Sequence, residues 1–153
     1  MTVGQPAPAF SLPGDDGKIH ALSEHVGRPV VLYFYPKDDT PGCTKEACDF
    51  RDNLARVQGK GAVVYGVSRD SLASHEKFRT KYKLNFPLLS DQGMEAHRAY
   101  GTWGTKSLYG REFEGTIRST FLIDRQGKVA RVWPKVSVTG HVDEVLSAIE
   151  ALA

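Results

Sequence analysis

Hydrophobic positions along the chain follow two different periods, and each change of period marks an element. Val30-Val31-Leu32-Tyr33-Phe34-Tyr35 is an unbroken β-branched and aromatic run, the pattern of a strand covered on both faces. Pro36 ends it. Beyond the loop 37–42, apolar residues fall at Cys43, Ala47, Phe50, Leu54 and Val57, steps of four and three that trace one stripe of a helix. Thr40 before Pro41 predicts an N-cap with proline at the first helical position, so Cys43 belongs to the first turn. Ala62 to Val67 reads as a second buried strand. Asp70 or Ser71 then caps a helix whose core face carries Leu72, Phe78 and Tyr82. Phe10 to Leu12 and Lys18 to Leu22 flank a turn-rich segment and predict an N-terminal β-hairpin. Ser119 to Ile123 and Val129 to Trp133, around Asp124-Arg125-Gln126-Gly127, predict a second. Signals are weaker at Phe86 to Leu89, at a helical turn around Met94 to Tyr100, and in a glycine-rich stretch to Gly115. Val142, Val145, Leu146, Ile149 and Leu152 mark a last helix. This order implies an α/β fold with a mixed central sheet and helices on both faces.

A chain of 153 residues fits one domain, 1–153, that buries about 70% of its unfolded surface and needs no staple. Its two cysteines therefore require another explanation. Twenty Lys plus Arg against eighteen Asp plus Glu give a formal charge of +2 with the signs interspersed, a solvated surface and not a nucleic-acid footprint. No apolar run approaches the ~20 residues that span a bilayer. The first ten residues lack the basic and apolar regions of a secretion signal. A cytoplasmic, membrane-free protein is expected, in which thiols stay reduced and serve catalysis, redox sensing or metal binding.

Cys43 carries the sharpest chemistry. A loop that leads a buried strand into a helix delivers its thiol to the positive end of the helix dipole, where thiolate is favoured. About 3% of an unperturbed thiol is ionised at pH 7, against about 90% at a pKa of ~6, so ionisation alone supplies at most ~30-fold in rate. Groups that stabilise charge on the substrate are needed as well. They can come from the Thr40 hydroxyl, the backbone N–H groups of Gly42 and Cys43, and an arginine from elsewhere in the chain. The alternative for Cys43 is a small buried residue on the apolar stripe. Five residues along an ideal helix put the Cα atoms of Cys43 and Cys48 about 8.6 Å apart, beyond the roughly 4.4 to 6.8 Å of a disulfide. If they bond, the first turns must unwind.

The remaining signals favour packing or solvent. His20, His25, His75, His97 and His141 are scattered, which argues against a metal site and for surface or capping roles. Lys45 and Glu46 read as a solvated face, and Trp103 and Trp133 as packing residues. Gly101 to Ser107 lacks the glycine before lysine that a phosphate loop requires.

Tyr35-Pro36-Lys37-Asp38-Asp39-Thr40-Pro41-Gly42-Cys43-Thr44-Lys45-Glu46-Ala47-Cys48 resembles the active-site segment of the peroxiredoxins. Pro36, Thr40 and Cys43 meet the Pro-x-x-x-Thr-x-x-Cys spacing, and the second cysteine resembles the peroxiredoxin Q branch, also called bacterioferritin comigratory protein. The likeness continues through Gly66 to Ser71, Phe86 to Asp91, Tyr100 to Gly104 and Arg118 to Asp124. It implies a thioredoxin-like fold and a thiol peroxidase without metal, haem or flavin. Cys43 then matches the peroxidatic cysteine, which attacks a hydroperoxide to give a sulfenic acid. Arg118 matches the arginine that favours thiolate and polarises the O–O bond, Thr40 a hydrogen-bonding hydroxyl, and Pro36 a shield. Cys48 matches a resolving cysteine that closes an intramolecular disulfide, reduced in turn by a thioredoxin-type dithiol. The branch also implies a monomer. A general dithiol carrier would need a Cys-x-x-Cys pair, which is absent. A redox sensor or holdase switched by the same disulfide would stop near one equivalent of peroxide.

Overall fold

The computed structural model describes residues 2–152, the side chain of Leu108 excepted. The apolar run forms strand β3 (Val30–Phe34), with every residue buried. It is the middle strand of a five-stranded sheet ordered β5-β4-β3-β8-β9. Here β4 is Val63–Ser68, β5 Leu88–Ser90, β8 Ser119–Ile123 and β9 Val129–Trp133. β3 runs parallel to β4 and antiparallel to β8, while β4 is parallel to β5 and β8 antiparallel to β9. The predicted N-terminal hairpin is β1 (Ser11–Pro13) with β2 (Ile19–Ala21).

Strand alternation divides the core into two layers. Val31, Tyr33 and Tyr35 face one side, where helices α1 (Pro41–Gly59) and α4 (His141–Glu150) pack and Phe78 of α2 (Leu72–Tyr82) joins them. Val30, Leu32 and Phe34 face the other side, under Phe10 and Leu12 of the N-terminal segment and Ala96 and Tyr100 of α3 (Glu95–Tyr100). All five predicted stripe residues of α1 are buried. Phe50 at their centre stacks on Tyr33 with ring centroids 4.7 Å apart. The Tyr33 hydroxyl lies over Gly66 of β4, where a Cβ would come within 2.8 Å of it, so only glycine admits the ring.

One expectation is corrected, and one weak signal is resolved. Ser71 caps α2, accepting from the Ser74 N–H at 3.1 Å, but Leu72 is 39% exposed and His75 is fully buried in its place. The capping bond turns the first residue outward, and the buried face runs through His75, Phe78 and the half-buried Tyr82. In the glycine-rich stretch, where the signals are weak, β6 (Trp103–Leu108) and β7 (Arg111–Thr116) form a separate antiparallel hairpin. Its strands alternate weakly because it joins no other sheet. No helix among the described residues is long and apolar enough to cross a membrane.

Candidate active site

The site forms where parallel β3 and β4 release their C-terminal loops on one edge of the sheet. From β3 the chain passes through Tyr35 and the half-buried Pro36 into the loop that ends at α1. Thr40 takes the predicted N-cap position with extended backbone (φ −103°, ψ 154°), and Pro41 opens the helix. The Thr40 hydroxyl donates to the Lys37 carbonyl at 2.8 Å and makes no capping bond, so it closes the loop on itself. Cys43 lies in the first turn with 2% exposure, Cys48 is half-buried, and both are free thiols. One unbroken helix contains both.

Arg118 comes from a distant part of the chain, and sheet register explains its arrival. Ser119, the first residue of β8, pairs with Phe34, the last of β3, which sets Arg118 beside the end of β3. Its Nη2 donates to Cys43 Sγ at 3.1 Å and its Nη1 to Glu46 Oε1 at 2.7 Å. Gly42 makes room for this: a Cβ there would sit 3.3 Å from Nη2. Burial works against the charge on Arg118, but Glu46 and Cys43 outweigh it and hold the guanidinium above its ordinary range.

Glu46 does not lie on a solvated face, and that expectation is overturned: its exposure is 1%. It stands three residues after Cys43 and four before Phe50, within the apolar stripe, and this spacing is the signal that places it inside. A buried carboxyl requires a partner, and Arg118 supplies one. Burial pushes Glu46 up to about 7, with Arg118 pulling in the opposite direction. Glu46 Oε2 and Tyr33 Oη are buried without a hydrogen-bond partner among the described residues. Lys45, by contrast, is exposed and pairs with Asp49 at 3.1 Å. A groove of about 460 Å³ opens beside the guanidinium, lined by Pro36, Lys106, Ile117, Arg118 and Val136. Trp103 is half-buried and Trp133 buried, the latter donating to Glu144 at 3.1 Å.

The surface reading of the histidines holds for none of three. His75, His97 and His141 are all buried. Each shares a helix face with apolar neighbours (His75 with Phe78, His97 with Tyr100, His141 with Val145), a periodicity that ignores whether a residue is polar. His75 Nδ1 meets Asp38 Oδ2 at 2.7 Å and its Nε2 meets the Leu89 carbonyl at 2.9 Å. His97 lies between Asp91 Oδ2 at 2.6 Å and Thr116 Oγ1 at 2.8 Å. Burial pushes His141 down to about 4, and its Nε2 meets Thr120 Oγ1 at 2.8 Å. Asp38, Asp70 and His75 bring ligand-type atoms within 4.8 Å of one another. These atoms are already engaged with each other, with Ser68 and Ser74, and with the Asp38 N–H.

Comparison with known proteins agrees with this geometry. Residues 3–132 match the AhpC/TSA family. A putative peroxiredoxin bcp of Coxiella burnetii is 50% identical over 149 residues, covering 97% of this chain and 99% of that protein. Peroxiredoxin Bcp of Bacillus subtilis is 46% identical over 153 residues, covering 100% and 98%. A solved structure of the Xanthomonas campestris bacterioferritin comigratory protein, described for its alkyl peroxide reduction activity, superposes with a TM-score of 0.91 at 41% identity over 98% of each chain. A reduced 2-Cys peroxiredoxin of Plasmodium vivax superposes with a TM-score of 0.80 at 25% identity, covering 99% and 96%. The mixed sheet is thus the thioredoxin-like fold expected from the sequence. The chain belongs to the AhpC/TSA family and, within it, to the Bcp (Q-type) peroxiredoxins, which are thiol peroxidases.

Proposed function

We propose that Cys43 is the peroxidatic cysteine and Cys48 its resolving partner. The observation that carries this reading is the Arg118 guanidinium 3.1 Å from Cys43 Sγ, a charge-assisted donor that a thiolate accepts more strongly than a thiol. The thiolate attacks the terminal oxygen of a hydroperoxide, hydrogen peroxide or an alkyl hydroperoxide. The S–O bond forms as the O–O bond breaks, and the departing oxygen takes a proton to leave as water or alcohol. Arg118 bridges the sulfur and the groove, so it serves both thiolate and developing charge. Pro36 walls the same groove. The Thr40 hydroxyl, its proton held by the Lys37 carbonyl, offers its lone pairs toward an incoming peroxide O–H.

Cys48 then displaces hydroxide from the Cys43 sulfenic acid, and disulfide and water are formed. With both residues inside α1, the segment 40–50 unwinds for this step. A dithiol of thioredoxin type reduces the disulfide by exchange and is itself oxidised. On this reading the chain works as a monomer, one domain over 1–153, in the reducing cytoplasm.

The test is peroxide consumption with a catalytic dithiol reductant. Cys43→Ser is expected to abolish turnover. Cys48→Ser is expected to form sulfenic acid once and then stop with that reductant. Full activity in Cys43→Ser would remove the assignment.

A further inference from the structure

The loop that carries Thr40 runs into α1 and is also anchored by a buried polar network that reaches the neighbouring helix. Asp38 is 7% exposed and His75 fully buried. Tyr35 Oη donates to Asp38 Oδ1 at 2.5 Å, and Ser74 Oγ donates to Asp38 Oδ2 at 2.8 Å. His75 Nδ1 meets the same Oδ2 at 2.7 Å. The Asp38 N–H donates to Asp70 Oδ2 at 2.8 Å, which also accepts from Ser68 Oγ at 2.7 Å. The loop is therefore tied at once to β3, β4, α2 and, through His75, to β5.

Proton accounting assigns the state of this network. The Leu89 carbonyl can only accept, so His75 Nε2 carries a hydrogen. Asp38 accepts from the Tyr35 and Ser74 hydroxyls, and its Oδ2 lies 2.7 Å from His75 Nδ1. A carboxylate there takes a hydrogen from Nδ1, and with Nε2 donating as well the ring is an imidazolium. The groups facing the ring are Asp38, Ser74, Tyr35, the Leu89 carbonyl and, further off, Asp70, whose charge also favours the cation. Burial opposes that cation, yet the Asp38 hydrogen bond and both carboxylates hold His75 above the ordinary histidine range.

We infer that His75 and Asp38 are positioning residues for peroxide reduction: a buried imidazolium–carboxylate pair that clamps the Pro36–Thr40 loop onto α2 and so sets Pro36 in the wall of the Arg118 groove and Thr40 at the start of the helix that holds Cys43. The inference rests on the peroxidase reading above. Neither residue touches the sulfur; both act through the loop. The clamp also lies outside α1, so it can hold the loop while 40–50 unwinds and rewinds. Its contribution is complete below the unperturbed histidine value near 6.5 and is lost as pH rises through the raised value in the folded chain.

The wild-type protein provides the first test. Long-range proton–nitrogen spectra are expected to show His75 losing its second proton above the ordinary histidine value, and the stopped-flow rate of Cys43 oxidation by hydrogen peroxide to fall on the alkaline side as that signal titrates. The second test is His75→Gln and Asp38→Asn, expected to slow oxidation by ~10-fold to ~100-fold, the scale of a 1 Å misplacement, and to lose the alkaline fall. Ser74→Ala, a milder change that keeps the pair, is expected to retain the alkaline fall. A His75 that titrates at or below the ordinary histidine value, or a rate that stays flat through its titration, would overturn the clamp. So would folded His75→Gln protein with the wild-type rate and profile. If wild-type Cys43 itself does not react with peroxide, the peroxidase reading fails instead, and the spectra still report on the pair.

Discussion

Two buried carboxyls of equal exposure behave in opposite ways. Glu46 and Asp91 are each 1% exposed, and each faces one cationic or basic partner. Asp91 lies ahead of α3 and accepts the backbone N–H of Ala96 at 3.2 Å and of His97 at 2.8 Å in addition to the His97 ring. Burial works to raise it, but those bonds hold it below the usual carboxylate range. Glu46 sits beyond the first turn of α1, and its Oε2 has no hydrogen-bond partner among the described residues. Burial therefore dominates and pushes it up to about 7. The same residue chemistry gathers N–H donors at a helix start and is left with one guanidinium in a helix interior. The second kind lies one guanidinium away from Cys43 Sγ.

The comparison can be broken at three points. Arg118→Ala removes the partner on the active-site side only, and Cys43 oxidation is expected to slow by more than the ~30-fold that ionisation alone could account for. A smaller loss in stopped-flow rates would mean that the arginine acts mainly on thiolate population. Asp91→Asn is expected to cost about 2 kcal/mol in denaturant melts, the scale of charged hydrogen bonds lost from a buried site, while the oxidation rate stays within about threefold because Asp91 bonds neither Cys43 nor Arg118. Glu46→Gln gives the smallest change in stability, within about 1 kcal/mol of wild type at pH 8, since the lost bond to Arg118 is offset by relief of a buried charge.

The pH dependence of stability sharpens the same contrast. A carboxyl raised from 4.5 to about 7 destabilises the fold as it ionises, by about 3 kcal/mol between those values. Asp91, lowered instead, contributes stability above its ordinary value of 3.8 that is lost as pH falls through its folded value. Melts across pH 4 to 8 are expected to lose the upper slope in Glu46→Gln and keep it in Asp91→Asn.

Much of the frame was legible because burial writes itself as periodicity. The β3 run, the α1 stripe and the Ser119 to Trp133 hairpin all lie where the pattern placed them. The β6–β7 hairpin escaped because its strands cover no sheet and carry no consistent apolar face. At the site, Cys43 and the N-cap position of Thr40 followed from strand-to-helix spacing. Glu46 and His75 did not, although both stand at core spacing, because polarity was weighed above position. Arg118 could come only from resemblance: a single arginine ahead of a strand has no local signature, and β3–β8 register alone brings it to the sulfur.

The central claim concerns one sulfur and the helix that holds it away from its partner. Its most direct test is peptide mass mapping with amide exchange after one equivalent of hydrogen peroxide. The expected product is a chain lighter by a pair of hydrogens, with Cys43 joined to Cys48 and faster exchange confined to residues 40–50. A disulfide formed with exchange in that segment unchanged, or a Cys43 that remains a thiol, would contradict the account.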